Sequence, residues 1–154
     1  MHQKQKETIL ALLKSAEANK NYTSRYLFSY QDFLDPADSF TSFSCEDLDG
    51  KQGYLSLIEN LLTADETAKI FVEVYGFEEM DGEQFVYADT LVIFSKLPLS
   101  EVERIFNEPK DIFPDDIGEL DDLQKEFLIG DNGDLVPAAS LLDKDSSVYY
   151  CWWD

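Results

Sequence analysis

The stretch "AKIFVEVYGFEEMDGEQFVYADTLVIFS", residues 68–95, constrains the fold more than any other part of the chain. Ile70, Val72 and Val74 alternate with Phe71, Glu73 and Tyr75, and β-branched and aromatic residues dominate, which predicts a strand. Asp81-Gly82 lies near the middle. An Asp-Gly pair readily takes the positive-φ conformations of a tight hairpin turn, so a second strand is expected over about residues 85–94. "SKLPLSEVERIFNE" then reads as a helix with Leu99, Val102, Ile105 and Phe106 on its buried face. Ser100 is placed to cap that helix, and Glu103 three residues later completes a capping-box pattern.

The flanking segments add elements of both kinds. Ile9, Leu10, Leu12, Leu13 and Ala16 fall at helical spacing, with Glu7, Thr8 and Lys14 off that face, and "NKNYTS" ends the helix. "RYLFSYQDFLDPADSFTSF" is aromatic and irregular, with room for a short strand, and "EDLDGKQG" reads as a turn-rich loop. "YLSLIENLLTAD" predicts a second helix carrying Leu57, Ile58, Leu61 and Leu62 on one side. "EFLIGDNGDLVPA" predicts another hairpin turning at Asp131-Asn132-Gly133, and "SSVYYCWWD" a final strand. The 154 residues suffice for one core, and no repeat, low-complexity segment or linker divides them. The expectation is one α+β domain over residues 1–154, a mainly antiparallel sheet with helices packed on one side.

Charge narrows the functional classes. The chain holds 32 acids and 12 Lys or Arg, a net charge of -20. Residues 1–25 carry +3 and the remainder -23. Such a field repels nucleic acid and anionic membranes and draws in cationic proteins. The apolar runs are too short to span a bilayer, and Glu7, Lys14 and Glu17 interrupt any signal-peptide core, so a soluble cytoplasmic protein is expected. Cys45 and Cys151 are expected to be free thiols rather than a structural disulfide.

The motifs exclude more than they include. The one histidine, His2, is expected to be frayed and solvated, which removes Ser-His-Asp and Cys-His catalysis. No His/Cys spacing suits zinc, and phosphate-cradling glycine loops are absent. An EF-hand loop fails at both candidate positions. Aligning Gly50 puts Cys45 first and Ser56 twelfth, and aligning Gly133 puts Leu128 first and Ala139 twelfth. No cofactor, metal or enzymatic activity is therefore expected, although the many carboxylates leave a carboxylate-dependent hydrolase open as an alternative.

The densest acidic stretch is "DIFPDDIGELDDLQKEF", residues 111–127, with seven acids and one lysine. If Pro114 opens a helix, Asp115 and Asp116 lie in its first turn, where the helix dipole favours them. Phe113, Ile117, Leu120, Leu123 and Phe127 then face inward, with Gly118 counting against the helix. Packing and the dipole leave Glu119, Asp121 and Asp122 unexplained, and Asp115, Glu119 and Asp122 would form one outward stripe. Like charges at that spacing cost roughly 0.2–0.5 kcal/mol a pair. A second cluster, Glu78, Glu79, Asp81 and Glu83, surrounds the hairpin turn. A third comprises Asp32, Asp35, Asp38, Glu46, Asp47 and Asp49. Each is either solvated surface or a surface for a basic partner. Aromatics beside acids, as in "YGFEE", "FPDD" and "YYCWWD", are core formers or interface anchors.

Residues 85–119, "FVYADTLVIFSKLPLSEVERIFNEPKDIFPDDIGE", resemble small acidic immunity proteins of bacterial contact-dependent growth inhibition and related polymorphic toxin systems. The shared pattern is an "ADTLVI"-like strand, an "S-x-L-x-L-x-E-V" helix start and a "P-D-D-I"-like segment. The resemblance implies a cytoplasmic inhibitor that binds one cognate toxin domain, often a basic nuclease, and occludes its active site or substrate groove. It carries no catalytic residues over. The expected contact residues are Asp115, Asp116, Glu119, Asp121 and Asp122, then Glu78, Glu79, Asp81 and Glu83, read from the charge clusters. The alternatives are a DNA-mimic regulator of a nucleic-acid-binding protein and the hydrolase above. Oligomeric state is left open.

Overall fold

The computed structural model describes residues 1–44 and 50–154. The long hairpin forms where its sequence places it. β1 (Arg25–Ser29), β2 (Thr41–Phe43), β3 (Lys69–Met80) and β4 (Glu83–Ser95) are the first four strands, and β3 and β4 pair antiparallel from Lys69↔Phe94 to Met80↔Glu83. Asp81 and Gly82 turn between them with φ of 53° and 81°, both positive as the tight primed turn requires. The register shifts between Glu73 and Gly76, so Tyr75 and Asp89 have no directly paired neighbour. Such bulges bend a strand and re-aim its side chains.

Four more strands extend the hairpin: β5 (Asp116–Glu119), β6 (Glu126–Ile129), β7 (Leu135–Pro137) and β8 (Ser147–Trp152). Among the described residues they form one sheet in the order β5-β8-β4-β3-β1-β6-β7, with β2 also paired to β4. β2–β4 and β1–β6 are parallel and the other pairs antiparallel. β2 and β8 occupy the same edge of β4 end to end, β2 on residues 86–88 and β8 on residues 90–95. The α+β architecture with a mainly antiparallel sheet is therefore as expected.

The helices α1 (Gln3–Asn19), α2 (Tyr30–Phe33), α3 (Lys51–Ala64) and α4 (Leu99–Asn107) cover one face. Ile9, Phe33, Tyr54, Leu57, Ile58, Leu61, Val102, Ile105 and Phe106 pack there against Ile70, Val72, Leu91, Ile93 and Cys151. Trp153 sits in this core, with ring centroids 5.1 Å from Tyr54, 5.8 Å from Phe43 and 6.4 Å from Phe106. Its indole N–H donates to the Ile112 carbonyl at 2.8 Å. Asp65 ties the end of α3 to the end of β4, accepting from Ser95 Oγ, the Lys96 N–H and both donors of Thr67. Burial opposes its charge, but these donors outweigh it and hold its pKa down to about 2.

The opposite face carries a smaller core of Leu27, Phe71, Val92, Phe94 and Val148 under Leu120, Leu123, Ala138 and Leu141. This cover is loop and a short 3-10 turn (Ala138–Leu141) rather than helix, so it shields only part of the face.

Three expectations need correction. Residues 111–127 are not helical: Asp116–Glu119 is the edge strand β5, and Phe127 belongs to β6. Pairing with β8 wins over the helical pattern, and Gly118, a poor helix former, lies opposite Tyr150. Ile117 joins the helix-side core and Leu120 and Leu123 the other, a division one helical face cannot make. α4 is capped by Pro98 rather than Ser100: the Pro98 carbonyl accepts from the N–H groups of Glu101 and Val102, and Ser100 is already helical. α3 begins at Lys51, so the end of the expected "EDLDGKQG" loop is helix, entered through Gly50 at φ 54°. Glu46, Asp47, Asp49 and Cys45 lie outside the described residues.

Candidate functional site

Cross-strand register shows which side chains share the uncovered face. Asp116, Trp152, Thr90 and Glu73 form one row across β5, β8, β4 and β3. Gly118, Tyr150, Val92 and Phe71 form the next, two residues along. Beyond the bulge, Gly76 pairs with Tyr87 and Glu78 with Phe85, alternating with the buried Val86 and Ala88. The open face is thus a patchwork of flat aromatic rings and carboxylates.

Two of the tyrosines lie across glycines. A Cβ built on Gly76 would stand 3.0 Å from the Tyr87 hydroxyl, and one on Gly118 would stand 3.0 Å from the Tyr150 hydroxyl. A strand glycine bares its backbone, and an aromatic ring laid over it restores the cover. Tyr75 meets Tyr87 with ring centroids 5.3 Å apart and is 70 % exposed. The Gly76→Ala variant should displace the Tyr87 ring slightly while costing less than about 1 kcal/mol, because the close contact falls on the outer end of the side chain. Ring-proton shifts of Tyr75 and Tyr87, read beside a denaturation curve, check both parts.

All nine expected contact acids are exposed. The structure divides them, however. Asp115, Asp116 and Glu119 lie at β5, Asp121 and Asp122 in the following loop, and Glu78, Glu79, Asp81 and Glu83 around the hairpin turn. Asp115, Glu119 and Asp122 do not form one stripe, because β5 is extended and Asp116 and Glu119 project to opposite faces. Asp116 and Glu78 share the open face. Several acids also hold local structure. Asp116 accepts from the Tyr150 hydroxyl at 2.8 Å, Asp115 from the Asp154 N–H at 2.7 Å and Asp122 from the Gln124 N–H at 2.8 Å. The hydrogen bond to Asp116 raises the Tyr150 pKa.

Residues outside the expected set complete the face. Asp89 accepts from Trp152 Nε1–H at 3.1 Å and from the Thr90 hydroxyl at 2.9 Å. Tyr75 and Asp89 stand between two hollows. One of about 600 Å³ is lined by Ser42, Ser44, Glu78, Phe85 and Tyr87. The other, of about 360 Å³, is lined by Tyr22, Tyr26, Glu73 and Trp152 among others. The period-two alternation of the hairpin was the available signal for Glu73 and Tyr87, whereas the bulge that turns out Tyr75 and Asp89 has no marker in the sequence.

A buried acid lies at the margin of this face. Glu126 is 2 % exposed, and counted as a carboxylate its Oε2 has no hydrogen-bond partner among the described residues. Burial drives its pKa up, and the neighbouring Glu73 carboxylate and Asp122 push the same way, against the pull of Arg25. With the pKa pushed up to about 9, Glu126 holds a proton at neutral pH and donates it toward Glu73. Arg25 binds the same Glu73 at 3.0 Å. Cys151 is buried, which raises its thiol pKa and makes it unreactive.

His2 is not frayed. It caps α1, its N–H donates to Gln5 Oε1 at 3.0 Å, and its Nε2 lies 3.7 Å from both Asp32 and Asp131. The three side chains place ligand atoms within 4.8 Å of one another. They sit at the positive end of α1, which disfavours a cation. No described helix is long and apolar enough to cross a membrane. Comparisons with protein-family models, with curated proteins and with solved structures returned no match.

Proposed function

We propose that this chain is an inhibitory binding protein for a basic protein domain, an immunity protein that neutralises a cognate toxin by docking through the open sheet face. The observation that carries the reading is an uncovered face where Tyr75, Tyr87, Tyr150 and Trp152 interleave with Glu73, Glu78, Asp89 and Asp116, in a chain of net charge -20. Aromatic rings are efficient anchors, and carboxylates pair with lysine and arginine where a nuclease would hold phosphates. The surrounding field speeds encounter with a cationic partner. Asp116 and Glu78 would make direct contacts, and the remaining acids would steer. The Glu73–Glu126 pair lends the hydrolase alternative no support. Glu126 is too buried to meet substrate, and Arg25 engages the Glu73 carboxylate beside it.

The test is co-expression with the C-terminal domain of any toxin-like neighbour encoded upstream. Co-elution with loss of toxicity is expected. Charge reversal by Glu78→Lys with Asp116→Lys should weaken the complex by at least about tenfold and flatten its salt dependence, leaving thermal unfolding little changed. Unaltered affinity and salt dependence would remove this face as the interface.

A further inference from the structure

The smaller hollow has a chemistry of its own. Tyr22, Tyr26, Tyr75 and Trp152 supply aromatic walls, Glu73 and Asp89 supply carboxylates, and Arg25 also lines it. Two carboxylates against one guanidinium leave the hollow one negative charge in excess. Arg25 bonds Glu73, whereas Asp89 takes its hydrogen bonds from the neutral donors of Trp152 and Thr90. The Glu73 carboxylate is thus engaged by Arg25 from one side and by the buried, protonated Glu126 from the other, which leaves Asp89 as the acid of the hollow without a cationic partner. At the mouth, Tyr22 and Tyr75 are 68 % and 70 % exposed. Both rings therefore present aromatic surface to an incoming group.

Aromatic faces attract cations, and a carboxylate between them fixes a planar fork of N–H donors. A guanidinium fits this arrangement better than an ammonium, because it stacks on rings and is more weakly hydrated. We propose that the hollow takes up one arginine side chain of the basic partner, with its guanidinium on Asp89 and between Tyr75 and Trp152. This rests on the inhibitory-binding reading and deepens it: the hollow is the anchor point, and the wider acidic face is the guide.

The probe is N-acetyl-arginine amide titrated into the full chain and followed by NMR at the Trp152 indole N–H and the Tyr75, Asp89 and Thr90 amides. Saturable shifts confined to these groups are expected. Asp89→Asn and Tyr75→Ala should each weaken binding by about fivefold or more, with thermal unfolding confirming that both fold. N-acetyl-lysine amide should bind about threefold more weakly or worse. Shifts spread evenly over the hairpin tip and β5, no shift at the Trp152 indole, or equal binding of the lysine probe would each overturn the proposal. The two readings can fail separately. If a basic toxin-like domain is captured equally well by wild type, Asp89→Asn and Tyr75→Ala, the hollow is not its anchor and inhibition stands without it. If the arginine probe fills the hollow but no basic domain is captured, the inhibitory reading falls, and with it the identity of the arginine's donor.

Discussion

The Glu126→Gln variant is expected to hold a steady denaturation midpoint from about pH 5 to about pH 9, a range in which the wild-type chain loses stability. The sign follows from where the proton sits. Glu126 in the fold keeps its proton up to about 9, because it is buried beside Glu73. An unfolded glutamate releases it near about 4.3. Between those values the native state binds more protons than the unfolded state, so stability falls as pH rises. The slope approaches about 1.4 kcal/mol per pH unit and vanishes outside the window. Glutamine keeps the shape and a donor without the titration. Near pH 8 the variant should therefore unfold at a clearly higher urea midpoint than wild type, and near pH 4 the two should converge. Urea unfolding at several pH values measures this directly, and a flat wild-type profile would mean that Glu126 is ionised in the fold.

Trp153→Ala should cost about 3–5 kcal/mol and leave the domain only marginally folded. The ring is buried among Phe43, Tyr54 and Phe106, with each pair tilted or edge-on. Truncation would also strand the Ile112 carbonyl, which accepts the indole N–H. Trp153→Phe separates the two losses. It keeps most of the apolar contact and removes the hydrogen bond, so about 1–2 kcal/mol is expected. Denaturant midpoints decide the matter, and near-equal losses in the two variants would show that the hydrogen bond, not packing, dominates.

The fold was more legible than the site because its signals are local. Asp81-Gly82 needs only its own backbone preferences to turn, and the alternating residues on either side of it state their faces outright. The 111–127 segment misled because Pro114, the acids that follow it and the spaced Ile117, Leu120 and Leu123 satisfy a helical pattern. The deciding partner, β8, lies some thirty residues further along, and no window on the segment contains it. The open face is harder still to read. Glu73 and Glu126 meet across β1, and Asp89 meets Trp152 across sixty-three positions. The sequence clusters that stood out, such as Glu78, Glu79, Asp81 and Glu83, were those whose members are adjacent in the chain. Asp89 and Glu73 stand alone in sequence and gain their company only from pleat, register and bulge.

β8 is the last strand in chain order, yet it occupies an interior slot between β5 and β4. Among the described residues, β5 pairs with no strand but β8, and residues 147–152 also cover half of one β4 edge. Closing the sheet around β8 joins segments some thirty and sixty residues apart, long-range pairing of the kind that slows folding. A nascent or truncated chain lacking β8 would present the apolar edge at residues 90–95 to any neighbour, so the segment that completes the aromatic face also guards against self-association.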